Sequence, residues 1–111
     1  MVKHSLDRTF AALSDPHRRK MIELLARGEM NISDLARPFA MSMAAVSKHV
    51  GVLAAAGIVV KEARGRQRRC RLAARPLHEA EAWVARYSKF WNAQLDSLAT
   101  HLETKARKKS Q

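Results

Sequence analysis

The sequence has a single cysteine, so it has no second thiol for an internal disulfide or a CxxC motif. This excludes a disulfide-stabilised fold, a zinc knuckle and a redox pair, and we expect Cys70 to pack inward as a small apolar residue. No apolar run approaches the roughly 18 residues that a spanning helix needs, and the N-terminal segment MVKHSLDRTF has no apolar signal-peptide region. We therefore expect a cytoplasmic protein that does not contact a membrane.

The motifs of common enzyme chemistries are also missing. The chain has no glycine-rich phosphate loop and no pair of carboxylates spaced for general acid and base catalysis. Ser47 and His49 are two residues apart on a predicted helix, so their side chains point about 200° away from each other and cannot act as nucleophile and base. We therefore predict no enzymatic activity, no catalytic residue and no cofactor.

Acidic residues are scarce where basic residues are dense. The formal net charge is +11, and residues 37–75 hold nine lysines and arginines against one acid, a net charge of +8. A membrane-surface helix would place such cations beside a bulky apolar face. Here they lie on a predicted hairpin and beside an alanine-rich helix. The segregated charge therefore favours a nucleic acid as the partner.

Apolar spacing and capping signals predict the first two helices. The first helix has apolar residues at helical spacing, namely Leu6, Phe10 and Leu13. Asp15 followed by Pro16 is typical of a helix N-cap and the first position of a helix. Gly28 supplies the stop signal of this second helix.

Two short helices should then meet across a tight turn. Ser33 is the predicted cap of the third helix, which Pro38 keeps short, and Ser42 caps the fourth. The fourth helix faces Val46, Val50 and Leu53 inward, while its outer face holds Ala44, Lys48 and Gly51. Small side chains suit a helix that lies in a major groove about 12 Å wide, although plain solvent exposure is an alternative interpretation. This spacing predicts a helix-turn-helix with its recognition helix over residues 42–56.

A basic hairpin follows the recognition helix. Residues 58–62 and 68–72 alternate as strands, and Gly65 stands in the turn where a positive φ is needed. Residues 61–71 contain six basic residues against one acid, more than is needed to protect a sheet edge, which indicates contact with phosphates or the minor groove. The sequence thus predicts a winged helix-turn-helix, mainly α, with about five helices and a two-stranded wing.

The last predicted helix carries a long apolar stripe. From Pro76 onward, apolar residues recur at steps of three or four over about 27 residues, some 40 Å of helix. We expect this stripe to form a two-fold homodimer, and packing on the chain's own core is the alternative. The predicted interface consists of Leu6, Phe10, Leu13, Trp83, Tyr87, Phe90, Trp91, Leu95, Leu98 and Leu102. Residues 1–104 then form the DNA-binding and dimerisation domain, and residues 105–111 form a basic, disordered tail.

Four short segments, DPHRR, ISDLA, VSKHV and AGIV, together resemble the ArsR-type (ArsR/SmtB) winged-helix repressors of bacteria and archaea. The resemblance extends over nearly all of Asp7 to Glu103. It implies a homodimer whose recognition helices bind the two half-sites of an inverted repeat in double-stranded DNA, usually as a repressor that an inducer releases. The sequence does not reveal the operator, the target genes or any inducer.

The resemblance also implies which side chains contact DNA. The family's contacting positions fall on Ser42, Met43, Ala44, Ala45, Ser47, Lys48 and His49 of the helix and on Arg64, Arg66, Gln67 and Arg68 of the wing; the charge of the hairpin adds Arg69. Ala44, Ala45 and Gly51 depart from the polar residues common in the family. We therefore expect apolar contacts with thymine methyl groups and much of the affinity from phosphates. His49 fits a packing role at the core edge equally well.

The metal ligands found in many such relatives are missing. The segment NISDLARPF has no cysteine, and His78 and His101 are 23 residues apart, about 35 Å along one helix. We predict no metal site. The alternatives are a site shared between subunits, with His78, Glu79 or Glu81 facing His101 or Glu103, a thiol-responsive repressor, or a module that coats DNA or binds proteins without reading sequence.

Overall fold

The computed structural model describes the backbone of residues 2–109 and the side chains of residues 5–107. In chain order the elements are α1 (Val2–Leu13), α2 (Pro16–Ala26), β1 (Met30–Asn31), α3 (Ile32–Ala36), α4 (Met43–Ala55), β2 (Val59–Arg64), β3 (Gln67–Leu72) and α5 (Arg75–Lys109). The chain divides into two compact units, Met1–Ala80 and Glu81–Gln111, with the boundary inside α5. The predicted mainly helical fold with five helices and a basic hairpin is confirmed.

The sheet has three antiparallel strands in the order β1-β3-β2. Strands β2 and β3 form the predicted hairpin, with Arg64 opposite Gln67 and Gly65 at the tip with a φ of +62°. The prediction of a two-stranded wing missed β1, which pairs Met30 with Cys70. A two-residue strand is too short to show an alternating pattern, so its pairing depends on the tertiary structure.

The core of the first unit is built from every helix before α5 and from both long strands. Fully buried side chains are Ala12, Met21, Leu35, Val46, Val50, Leu53, Ile58 and Cys70. Each large apolar side chain that is removed from water in this way contributes about 1.5–3 kcal/mol. The predicted inward face of α4 and the predicted inward packing of Cys70 are both confirmed.

Burial also determines the chemistry of Cys70. Desolvation raises the pKa of its thiol, and the nearby charge of Lys61 offsets only part of that rise. Because the thiolate is the reactive form of cysteine, a buried thiol with a raised pKa is a poor nucleophile.

Two of the three predicted N-caps are confirmed. The Oδ1 of Asp15 accepts hydrogen bonds from the backbone N–H of His17 at 2.8 Å and of Arg18 at 3.3 Å. The Oγ of Ser42 accepts the N–H of Ala45 at 3.1 Å. Both side chains satisfy donors that the first turn of a helix leaves without a partner.

The prediction that Ser33 caps the third helix is wrong. Helix α3 begins at Ile32, and Asn31 takes the N-cap position without a side-chain cap bond. The amide oxygen of Asn31 instead accepts a hydrogen bond from Arg69 at 3.3 Å. The side chain of Asn31 therefore bonds across the sheet and does not cap α3.

Helix α5 is longer than predicted, since it begins at Arg75 and has 35 residues, about 52 Å at 1.5 Å per residue. The predicted disordered tail, residues 105–111, is helical as far as Lys109, and its last two residues lie outside the described residues. Nowhere between residues 2 and 109 is a helix both long and apolar enough to cross a bilayer.

Candidate nucleic-acid interface

Helix α4 presents small and polar side chains to solvent. Of the predicted contact residues, Ser42, Met43, Ala44, Ser47 and Lys48 are exposed, and Ala45 is half-buried. Gly51 lies one turn further along, and a Cβ built there would meet no atom within 4 Å outside its own stretch of helix. Packing inside the chain therefore does not require a glycine at this position.

His49 lies at the boundary between this face and α2. The Nη1 of Arg18 is 3.2 Å from the Nδ1 of His49. Since a guanidinium only donates hydrogen bonds, Nδ1 is the acceptor in this contact. The half-buried ring and its arginine partner support the packing interpretation of His49 in the DNA-free chain. Its contact with DNA stays a prediction.

The arginines of the DPHRR segment close the end of α1. Arg18 donates from Nε to the carbonyl oxygen of Ala12 at 2.7 Å and from Nη2 to that of Ala11 at 3.0 Å. Arg19 donates from Nη1 to the carbonyl oxygen of Leu13 at 2.6 Å. The last carbonyls of a helix have no partner within it, and the two cations bond those of Ala12 and Leu13, while that of Ala11 also accepts from Ser14. The two arginines of this segment therefore connect the start of α2 to the end of α1.

Asp15, His17 and His49 bring three metal-ligating side chains together at the start of α2. One ligand atom from each lies within 4.8 Å of the others. The Nδ1 of His17 is 3.4 Å from the Oδ1 of Asp15, and the two imidazole centroids are 5.7 Å apart. The sequence analysis missed this group because His17 and His49 are 32 residues apart and match no ligand spacing.

The Asp15 carboxylate is held in its ionised form. Desolvation by burial raises its pKa, but the hydrogen bonds from the N–H groups of His17 and Arg18 and the nearby positive charge of Arg18 outweigh it. The net pKa of Asp15 is therefore lowered. An ionised carboxylate is the form that caps a helix best and binds a cation.

Several arginines of the wing are engaged by acidic residues. Glu29 Oε1 lies 3.6 Å from Nη1 of Arg64 and 3.3 Å from Nε of Arg69. Glu62 pairs with Arg71 at 3.2 Å and with Arg64 at 3.8 Å. Arg64 and Arg69, both predicted to contact DNA, thus have intramolecular partners in the DNA-free chain.

Arg66 and Arg68 differ from these arginines. Both are exposed, as is Gln67 between them, and neither arginine forms a side-chain ion pair or hydrogen bond with another described residue. The sequence pattern does not separate Arg64 and Arg69 from Arg66 and Arg68, because the pairing depends on Glu29, which is 35 residues from Arg64. No local pattern reveals such a pair.

The predicted dimer residues fall in both units. Leu6 and Leu13 are half-buried and Phe10 is exposed. In the second unit Trp83, Tyr87, Phe90, Trp91, Leu95, Leu98 and Leu102 are all exposed on α5. The rings of Trp83 and Tyr87 lie 5.1 Å apart and contribute to one apolar surface. Their role in a dimer stays a prediction.

Comparison with known proteins identifies the family. A model of a helix-turn-helix domain matches residues 13–62. A crystal structure of an ArsR family transcriptional regulator, RHA00566, is 34% identical, with a TM-score of 0.76, and the match covers 81% of this chain and 93% of that one. The chain belongs to the ArsR family of transcriptional regulators. This family membership confirms the resemblance found in the sequence and the prediction that the protein is not an enzyme.

Two further relatives bear on this ArsR-family regulator. Transcriptional repressor SdpR of Bacillus subtilis is 35% identical over 60 residues, 54% of this chain. The chain spans 60–67% of the length of the curated relatives it matches. The homodimeric winged helix-turn-helix domain Mb0332 of Mycobacterium bovis is 22% identical, with a TM-score of 0.62 and 78% and 82% of the two chains covered. At that identity the match shows the fold alone.

Proposed function

We propose that this ArsR-family regulator is a cytoplasmic homodimeric repressor that binds an inverted-repeat operator in double-stranded DNA. Each subunit lays residues 42–56 in the major groove and rests the wing, residues 61–71, on the backbone or in the minor groove. The observation that carries the proposal is the exposed face of small residues on α4, together with Arg66 and Arg68, whose side chains pair with no residue among those that the structure describes. The repressor name of the Bacillus subtilis relative supports the direction of control.

The DNA contacts divide into two kinds. Ala44 and Ala45 offer methyl groups that suit the methyl group of thymine, and Ser47 offers a hydroxyl to a base edge or a phosphate. Lys48, Arg66 and Arg68 supply the positive charge for phosphates. Since few side chains can read bases by bidentate hydrogen bonds, most of the affinity should come from the backbone contacts and fall steeply with salt.

The exposed apolar stripe of α5 supports a homodimer. Eight large apolar side chains of this helix, from Trp83 to Leu102, are at least 41% exposed in the single chain. Soluble monomers rarely expose an apolar surface of this extent. A stable interface buries about 1,200–2,000 Å² in total, which a paired stripe of this length can supply. The Mycobacterium bovis domain, which has the same fold, is homodimeric, and this agrees with the proposal.

Selection of bound fragments from the source genome at physiological salt tests the proposed function directly. A sequence-specific repressor should prefer a palindromic duplex over scrambled competitor by at least about 10³-fold. Equal binding to both duplexes would rule out the repressor and favour a DNA-coating module.

Salt dependence tests the role of the wing separately. Arg66→Ala and Arg68→Ala should each weaken binding to all duplexes and reduce the slope of log K against log salt by about 1.8 for the dimer, since each subunit loses one phosphate contact of about 0.9. Arg71→Ala is a matched control because it removes the same charge from an arginine already paired with Glu62. A slope that Arg66→Ala leaves at the wild-type value would contradict the proposed phosphate contact.

A further inference from the structure

Asp15, His17 and His49 bring three metal-ligating side chains together, and neither the cap of α2 nor the packing of His49 against Arg18 requires an imidazole at position 17. Asp15 alone caps α2, and the second position of a helix accepts most residue types. His17 nevertheless places an imidazole between Asp15 and His49. We propose that these three side chains bind a divalent transition-metal ion such as zinc, and that the ion replaces Arg18 as the partner of His49.

The distances fit a three-ligand site after a small movement. Ligands bound to tetrahedral zinc at 2.0–2.2 Å lie about 3.3–3.5 Å from one another. Nδ1 of His17 and Oδ1 of Asp15 stand 3.4 Å apart, which is longer than a good N–H···O hydrogen bond of about 2.7–3.2 Å, so no strong bond between the two side chains has to break when an ion binds Oδ2. The full group spans at most 4.8 Å, so the His49 ring must approach by roughly 1 Å to complete the geometry.

The chemistry of the donors also suits such an ion. Two neutral imidazoles and one carboxylate form a set that zinc and its neighbours in the transition series accept, with water in the remaining position. Asp15 uses only Oδ1 for the two capping bonds, so Oδ2 is available without loss of the cap. The side chain of His17 is 52% exposed and that of Asp15 is 28% exposed, so an ion can enter from solvent.

The positive charge of Arg18 opposes a bound ion, so the ion and Arg18 compete for His49. Its Nη1 lies 3.2 Å from the His49 nitrogen, where its charge repels a cation and its proton occupies the lone pair that a metal would use. Arg18 keeps its two bonds to the α1 carbonyls when His49 turns away. The ion would then connect the start of α2 directly to the middle of α4, the recognition helix.

Zinc binding to the metal-free full-length chain, without DNA, tests the site itself. Titration against a chromogenic chelator should give one Zn(II) per chain, and Co(II) should give the intense visible absorption of a tetrahedral complex. His17→Ala should weaken Zn(II) binding at least about tenfold, since the loss of merely a supporting group already costs 10–100-fold. His101→Ala removes an exposed histidine of α5 and is the matched control. His17 is exposed and outside the core, so this variant keeps the fold, which thermal unfolding checks.

A second variant tests the exchange with Arg18. Arg18→Gln removes the opposing charge and should bind Zn(II) several-fold more tightly than the wild-type chain. Wild-type affinity in His17→Ala, or an equal loss in His101→Ala, would overturn the site. Unchanged or weaker zinc binding in folded Arg18→Gln would overturn the exchange. None of these measurements contains DNA, so their failure is separate from a failure of the proposed function.

Discussion

The two units of the chain treat their apolar side chains in opposite ways. Residues 5–80 enclose most of theirs, and Leu53 at the centre of α4 is 0% exposed. Residues 81–107 leave theirs in solvent, and Leu95 on α5 is 62% exposed. Leucines at similar helical spacing therefore do different work. In the first unit they stabilise the fold, whereas in the second they offer a surface to another molecule, which we propose is a second copy of this chain.

A charge in the exposed stripe gives the largest expected effect. Leu95→Glu places a carboxylate in the proposed interface and should convert the dimer to monomers and abolish operator binding, because each monomer holds only one half-site. Sedimentation and gel-shift measurements check both results. Gln94→Glu adds the same charge at the neighbouring position and should leave the dimer intact. A dimer that survives Leu95→Glu would refute the proposed interface.

Truncation of one leucine from each unit sharpens the comparison. Leu53→Ala leaves a cavity in the core and should lower the free energy of unfolding by about 2–5 kcal/mol, whatever the protein concentration. Leu98→Ala should lower the apparent stability in a way that depends on concentration, because stability contributed by an interface follows mass action. Urea unfolding at several protein concentrations separates the two. A concentration-independent loss in Leu98→Ala would assign that residue to the fold of one chain.

The caps of the first unit give an intermediate effect. Ser42→Ala removes the acceptor for the N–H of Ala45 and should cost about 1 kcal/mol in the free energy of unfolding. Ser33→Ala is the natural control, because Ser33 is exposed and does not cap α3. It should change stability by less than about 0.5 kcal/mol. Equal costs for the two serines would mean that capping does not explain the effect.

Gly51 gives the smallest and most informative change. Gly51→Ala fills open space and should raise the free energy of unfolding by roughly 0.5–1 kcal/mol, because glycine is unfavourable inside a helix. If the backbone of α4 approaches DNA closely at this turn, the added methyl group should lower operator affinity at the same time. Calorimetry and binding assays on the same sample measure both. An alanine that stabilises the chain and leaves operator affinity unchanged would remove Gly51 from the interface.

Local chemistry explains which parts of the fold the sequence could predict. Asp15 and Ser42 cap their helices through bonds to neighbouring residues, and Gly65 turns the hairpin by its own φ. The inward face of α4 follows from helical periodicity alone. Each of these features depends on a few consecutive residues, so a pattern in the sequence is enough.

The features that the sequence missed depend on distant residues. Strand β1 exists because Met30 pairs with Cys70, 40 positions away. Glu29 reaches two arginines of the wing from outside any recognisable motif, and Arg18 reaches His49, which is 31 residues away. Charge counting therefore predicted the candidate interface as a region but could not separate the engaged arginines from Arg66 and Arg68.

Glu29 shows how a residue outside a DNA-facing surface can tune it. Its single carboxylate lies beside both Arg64 and Arg69, so its negative charge lowers the positive potential of the hairpin surface. Exchange for glutamine would remove one partner from each arginine and leave Glu62 beside Arg64 and Asn31 beside Arg69, without altering any side chain that meets a base. A single substitution at this position could therefore change the nonspecific affinity for DNA during evolution without changing the operator sequence that the protein prefers.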